Sequence, residues 1–256
     1  RLAMLKLRPY QEKSLESLRN GFKDGHKTQI LYMPTGGGKT ESALSLLIAT
    51  ANKGNRAAMI LDRRILVDQT SARLDKYGID HGVLMSGHWR WRPHENIQIC
   101  SAQTLEKCEF LPDLDLIIVD EAHTVRAHTK NIINNLGLRA IGLTASPFTK
   151  GLGSLYQNIV CDVTTGSLVD TGSLVPLKVF VAKEIDMTGA KKVAGEWSQS
   201  EATERGIKIT GDILTEWVRK TFAFFGKPEK TIIFCAGVAH GEDLQRRFNE
   251  AGYNFI

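Results

Sequence analysis

The sequence predicts an α/β fold in which a parallel sheet is flanked by helices. Three observations predict it. Short apolar runs alternate with amphipathic runs of helical period along the first half of the chain. The apolar runs are nearly continuous, as strands covered on both faces are. A glycine-rich segment stands between one such run and the helix that follows it.

The elements follow in order. Residues 28–33 (TQILYM) read as a strand, and 39–53 as a helix with Gly54 placed to end it. Residues 57–61 (AAMIL) read as the next strand. Residues 63–77 read as a helix stopped by Gly78, and 97–100, 116–119 (LIIV) and 140–143 as further strands. Between Pro147 and Pro176 the chain turns rich in Gly, Thr and Ser, which reads as the crossing to a second unit. The expected division is 1–165 and 166–256. In the second part, 177–182 (LKVFVA) and 231–235 (TIIFC) read as strands, and 212–225 and 238–251 as helices. Residues 187–207 are polar and carry no clear period. The chain stops soon after a strand–helix pair, so the second unit is expected to be incomplete.

With 256 residues, 42% of them hydrophobic, the chain can bury one large core or two smaller ones. Its formal charge of +5 suits a polyanionic partner. The four cysteines, Cys100, Cys108, Cys161 and Cys235, form no CxxC pair, so no zinc site is readable. Cys100 and Cys235 lie in apolar runs and read as buried thiols, which fits a reducing cytoplasm. No apolar run approaches the roughly 18 residues that a membrane span needs.

The glycine-rich segment is Pro34-Thr35-Gly36-Gly37-Gly38-Lys39-Thr40. A triphosphate needs backbone N–H groups aimed inward, and consecutive glycines let the backbone fold into that cradle without Cβ clashes. The following helix adds its positive N-terminal end. Lys39 would reach the β- and γ-phosphates, and the Thr40 hydroxyl would ligate Mg²⁺. Met33 stands where the general GxxxxGK[ST] pattern has its first glycine. Downstream, the apolar run 116–119 ends in Asp120-Glu121-Ala122-His123. Asp120 would hold the metal through water, and Glu121 would polarise the attacking water as general base. His123 would sense the nucleotide.

Together these residues resemble superfamily 2 helicases of the DEAD/DEAH type, and nearly the whole chain follows the family's order. The resemblance implies a RecA-like phosphate-loop domain followed by the start of a second RecA-like domain, with ATP and Mg²⁺ as cofactors. Leu7-Arg8-Pro9-Tyr10-Gln11 resembles the adenine-recognition segment, with Gln11 reading the base and Arg8 or Tyr10 packing near it. Arg63 and Gln69 fall in RRILVDQ, and Ser101 and Thr104 in SAQTL. Both segments resemble those that touch the nucleic-acid backbone. Thr144-Ala145-Ser146-Pro147 resembles the motif that couples hydrolysis to domain movement, so Thr144 and Ser146 join His123 as coupling residues. Residues 232–240 resemble the first motif of the second RecA-like domain. The wording is most similar to the bacterial and phage branch near RadD-type repair helicases and restriction-enzyme translocases.

The resemblance implies ATP-driven translocation or unwinding, on DNA in preference to RNA. The alternatives are an RNA helicase and a nucleotide-binding switch without motor activity. No GRxxR-like arginine motif occurs after Pro147. An arginine finger contributes about 10³–10⁵ in rate, so this stretch alone is expected to bind ATP and turn it over weakly. Recruitment partners would act through a region beyond Ile256. The tract His88-Trp89-Arg90-Trp91-Arg92 is either a base-stacking, phosphate-gripping loop or a surface cover.

Overall fold

The computed structural model describes residues 5–108, 113–124, 126–177, 188–193, 196–208 and 210–255. The chain divides into two compact units, Arg1–Pro176 and Leu177–Ile256.

The first unit holds seven strands: β1 Thr28–Tyr32, β2 Ala57–Leu61, β3 Gly82–Leu84, β4 Ile97–Ser101, β5 Leu116–Val119, β6 Arg139–Thr144 and β7 Asn158–Val160. They form one sheet in the order β3-β4-β2-β5-β6-β1-β7, and every pairing is parallel. Its helices are α1 Pro9–Lys23, α2 Lys39–Ala51, α3 Arg64–Lys76, α4 Ala102–Lys107, α5 Ala127–Leu136 and α6 Thr165–Asp170. This is the α/β architecture expected of the sequence.

Side chains leave alternate faces of a strand, and the two cores sort accordingly. Leu31, Met59, Ile99, Ile118 and Ile141 pack with Leu15 and Leu18 of α1, Leu44 and Leu47 of α2, and Val67 and Leu74 of α3. Their strand neighbours Ile30, Ile60, Cys100, Ile117 and Ala140 pack on the other face with Leu105 of α4, Ile133 of α5, and Leu155 and Tyr156. Burial on both faces removes the apolar–polar alternation, which is why these strands read as continuous apolar runs. One buried polar group ties the layers. Gln29 Nε2 donates to the Leu18 carbonyl at 2.9 Å, and Gln29 Oε1 accepts from Asn158 Nδ2 at 2.8 Å.

In a parallel sheet all strands end on the same edge. The order β2-β5-β6-β1 therefore lines up Asp62, Asp120, the end of β6 at Thr144, and the glycine-rich loop after Tyr32. The stretch 147–176 does not leave this unit. It supplies a short 3₁₀ turn at Leu152–Ser154, then β7 and α6, and the unit runs to Pro176, later than the residue 165 expected. The three-residue strands β3 and β7 and the six-residue helices α4 and α6 are too short for a period to show in sequence.

The second unit contains α7 Gln199–Lys208, α8 Thr210–Phe225 and α9 Val238–Glu250, with a short antiparallel ladder of β8 Lys192–Val193 and β9 Glu196–Trp197. The helices expected at 212–225 and 238–251 match α8 and α9. Trp217 meets Phe248 and Tyr253 edge-on at 5.2 and 5.0 Å between ring centres. The strand expected at 177–182 lies, apart from Leu177, outside the described residues. The strand expected at 231–235 is not formed. Ile232 and Phe234 are 84% and 93% exposed, and Cys235, expected to be buried, is exposed. A strand exists only through ladder hydrogen bonds to a neighbour, and none of the described residues of this unit runs alongside this segment. Among the described residues, no helix is long and apolar enough to cross a membrane.

Candidate nucleotide-binding site

The glycine-rich loop is shaped by dihedrals that only glycine adopts cheaply. Gly36 and Gly38 have φ of +79° and +86°, and Gly38 is the N-cap of α2. Between them the Gly37 N–H donates to the Pro34 carbonyl at 2.9 Å, closing a tight turn. A Cβ on Gly37 would lie 2.7 Å from Met33 Cγ, so Met33, fully buried, packs directly under the loop. That explains how a methionine serves at the head of the motif: its side chain is part of the core that supports the turn.

The loop is also clamped from α1. Tyr10 donates its hydroxyl to the Gly37 carbonyl at 3.0 Å, and Gln11 Nε2 donates to the Gly38 carbonyl at 3.1 Å. Gln11 Oε1 accepts from the Arg8 N–H at 2.8 Å, and Gln11 is only 4% exposed. One end of the Gln11 amide thus holds the loop and the other caps the start of α1. Nothing in the sequence signalled this clamp, in which Tyr10 shares. The Arg8 side chain is exposed and its Nη1 reaches the Tyr10 hydroxyl at 3.4 Å. Thr35 and Gly36 are exposed on the loop, and Thr40 is half-buried on the first turn of α2. The Lys39 ammonium donates to the Met33 carbonyl at 3.3 Å, across the mouth of the cradle.

The acidic turn is stitched between two strands. The Asp120 N–H donates to the Ile60 carbonyl of β2 at 3.0 Å, and the Ala122 N–H to the Leu143 carbonyl of β6 at 2.9 Å. Glu121, between them, has φ of +47°, the one non-glycine residue with positive φ among those described. Such a conformation costs about 1–3 kcal/mol and persists where the surroundings enforce it, commonly at functional sites. Burial pushes the Asp120 carboxyl above its usual range, and the neighbouring Glu121 charge adds to the rise. Lys39 acts in the opposite direction, which brings its charge within electrostatic reach of Asp120. A buried carboxylate with incomplete compensation is suited to a cation such as Mg²⁺.

His123 joins this turn to β6. Its Nδ1 lies 3.2 Å from Glu121 Oε2 and 3.2 Å from the Thr144 hydroxyl oxygen. Thr144, fully buried, also accepts the Ser146 N–H at 2.9 Å. The residues predicted from sequence as coupling groups therefore form one continuous chain, Glu121–His123–Thr144–Ser146.

The candidate nucleic-acid contacts divide. Arg63, the N-cap of α3, and Gln69 are exposed. Ser101 is 6% exposed and caps α4, accepting the Thr104 N–H at 3.4 Å, while Thr104 Oγ1 accepts the Ser86 N–H at 3.1 Å. These two hydroxyls hold the loops in place. In the tract 88–92 the cations face acids: Arg90 pairs with Asp75 at 2.7 Å, Arg92 with Asp80 at 3.3 Å, and His88 Nε2 is 3.5 Å from Asp68. The Arg90 guanidinium also sits 4.6 Å from the centre of the Trp89 ring. The cations of the tract are thus paired with acids, while the Trp89 and Trp91 rings stand exposed.

A seven-stranded parallel sheet with a glycine cradle on one strand end and an acidic turn on a neighbouring one defines a phosphate-loop nucleotide-binding domain. The family model for the res subunit of type III restriction enzymes matches residues 4–149. The chain belongs to that family, in the restriction-translocase branch of the superfamily 2 helicases. It is 23% identical to the endonuclease subunit of the type I restriction enzyme EcoAI of Escherichia coli, over 93% of this chain and 34% of that protein. It is 26% identical to the putative ATP-dependent helicase IRC3 of Saccharomyces cerevisiae, over 97% of this chain and 40% of that protein. The fold matches the type ISP restriction-modification enzyme LlaGI, solved as a nuclease-deletion mutant with a DNA substrate mimic, at a TM-score of 0.54. That match has 18% identity and covers 98% of this chain and 28% of the other. The chain spans less than half the length of each sequence relative.

Proposed function

We propose that this chain is the nucleotide-binding portion of an ATP-dependent translocase or helicase that acts on DNA in preference to RNA. The observation that carries the reading is that the parallel sheet brings the loop bearing Lys39 and the turn bearing Asp120 to the same edge, with Glu121 held in a left-handed conformation next to Asp120.

In this reading the backbone N–H groups of 36–40 and the Lys39 ammonium bind the phosphates, and Arg8 flanks the base with Gln11 behind the loop. Lys39 leaves the Met33 carbonyl to do so, exchanging one neutral acceptor for a charged one. Thr40 and Asp120 hold Mg²⁺, which supplies neutralisation of charge on the transferred phosphoryl group. Glu121 orients the attacking water and takes its proton. The His123 ring, hydrogen-bonded to Thr144 and 3.2 Å from Glu121, passes a change at the carboxylate to Ser146 and the segment after β6. Arg63 and Gln69 contact the nucleic-acid backbone from the start of α3. Residues 166–256 would contribute part of a second RecA-like domain. The preference for DNA draws on the branch of the family and on the DNA mimic bound to the structural relative.

The test is ATP turnover by the whole protein, with and without single-stranded DNA, duplex DNA and RNA. Stimulation by DNA that disappears in Lys39→Ala and Glu121→Gln, while Glu121→Gln still binds nucleotide, is expected. Absence of nucleotide binding by the wild type refutes the proposal. Stimulation by RNA alone redirects it to an RNA helicase, and binding without turnover to a switch.

A further inference from the structure

The guanidinium of Arg126 spans two acids, one on the turn after β2 and one on the helix after β4. Its Nε donates to Asp62 Oδ1 at 2.8 Å and its Nη1 to Glu106 Oε1 at 2.9 Å. Asp62 is the residue after β2, immediately before Arg63 and the start of α3. Glu106 is on α4, the helix that Ser101 caps. Arg126 itself follows the acidic turn and is the N-cap of α5. A second tie runs between the same loops: Gln103 Nε2 donates to the Asp62 carbonyl, and Ser101 donates its hydroxyl to Gln103 Oε1 at 3.0 Å. Asp62, Asp120, Thr124 and Arg126 line one small cleft beneath the strand ends.

Three strand-end loops therefore meet at one side chain. Two of them, after β2 and β4, carry the segments read above as facing nucleic acid. The third carries Asp120 and Glu121. We infer that Arg126 is a positioning residue that couples nucleotide occupancy to nucleic-acid affinity, by holding the loops after β2 and β4 in register with the acidic turn. The inference rests on the proposed function. An arginine is needed because its planar fork presents separate donors to two carboxylates at once, which a lysine ammonium on a single stem does less well. Loss of the bridge unties the segments without removing any group assigned above to phosphate, base or metal.

The experiment measures that link directly. A fluorescent, non-hydrolysable ATP analogue with Mg²⁺ is titrated into the whole protein, with and without saturating single-stranded or duplex DNA oligonucleotide. The ratio of the two affinities is the coupling factor, which for linked sites is about 5–150 and reciprocal between the two ligands. In Glu106→Gln, an isosteric change outside the nucleotide site, nucleotide affinity without DNA is expected within about twofold of wild type, with the coupling factor falling to near one. Arg126→Gln should do the same, Arg126→Lys should retain part of the factor, and the double variant should lose no more than Arg126→Gln alone. A purely structural clamp would instead lower both affinities and the melting temperature together and leave their ratio unchanged, which overturns the inference. Wild-type coupling retained in Glu106→Gln and Arg126→Gln also overturns it. A wild type that binds neither ligand, or both with no coupling, sinks the proposed function and the inference with it.

Discussion

Replacing Gly38 with alanine separates the geometry of the nucleotide cradle from the stability of the fold. Gly38 holds φ of +86°, a conformation that costs an L-residue about 1–2 kcal/mol. The new Cβ would also collide with Gln11 Nε2, the donor that holds the Gly38 carbonyl from α1. Losing that hydrogen bond costs about 0.5–1.5 kcal/mol more. The loop can relieve both penalties by shifting at its exposed residues, Thr35 and Gly36. The relaxed loop no longer presents its N–H groups, so the cost returns as lost affinity. It amounts to about 1.5–3.5 kcal/mol, or a 10- to 400-fold weaker Kd for MgATP. Fluorescent-nucleotide titration measures the affinity, and calorimetry the melting temperature, which should move by only a few degrees. Gly87→Ala is the control. Gly87 has φ of +71° with nothing within 4 Å of the new Cβ, so it bears the dihedral cost without touching the cradle and should leave nucleotide affinity unchanged. A Gly38→Ala protein that binds nucleotide within twofold of wild type refutes the reasoning.

Gly142→Ala should do the reverse. Its Cβ would press on Ala122 Cβ and Tyr156 Cζ at 2.7 Å and Ile30 Cδ1 at 2.8 Å in the middle of the sheet, costing about 1–3 kcal/mol, and thermal unfolding should fall by several degrees. Asp120→Asn should stabilise the nucleotide-free protein near neutral pH while abolishing Mg²⁺-dependent nucleotide binding. The folded-state pKa of Asp120 is raised, so its buried charge costs stability above that pKa and the cost vanishes as pH falls through it. The gain in melting temperature should therefore shrink towards acid, and a gain independent of pH would contradict this. Burial pushes the Cys100 thiol up to about 12, whereas Cys161 and Cys235 are exposed. A thiol reagent should label those two in the native protein and Cys100 only after unfolding, and rapid native labelling of Cys100 would show that the sheet core opens.

Much of the first unit was legible because its strands are buried on both faces. Runs such as AAMIL and LIIV admit little other than a covered parallel sheet once helices separate them. The site was legible where the chemistry needs particular residues close together in sequence. PTGGGKT combines dihedral freedom, a cation and a hydroxyl within one turn, and DEAH places two acids at a strand end. The second unit was less legible. The run TIIFC has strand composition, but composition supplies no partner, and without a ladder Ile232 and Phe234 stand exposed.

By itself, then, the sequence determined the fold class, the glycine-rich turn and the pair of acids at a strand end, since each is encoded by local composition and short spacing. Only the tertiary structure decided which loops stand together at the strand ends. The order β2-β5-β6-β1 cannot be read from any local pattern, yet it makes Asp62 a neighbour of Asp120 and sets Thr144 against His123. It likewise turned Gln11 into a clamp on the loop, Ser101 into a helix cap, and Arg126, unremarked in the sequence, into the bridge between three loops. The reason is physical: a side chain's type fixes what it can bond to, but which groups lie within 3 Å of it is set by how distant segments pack.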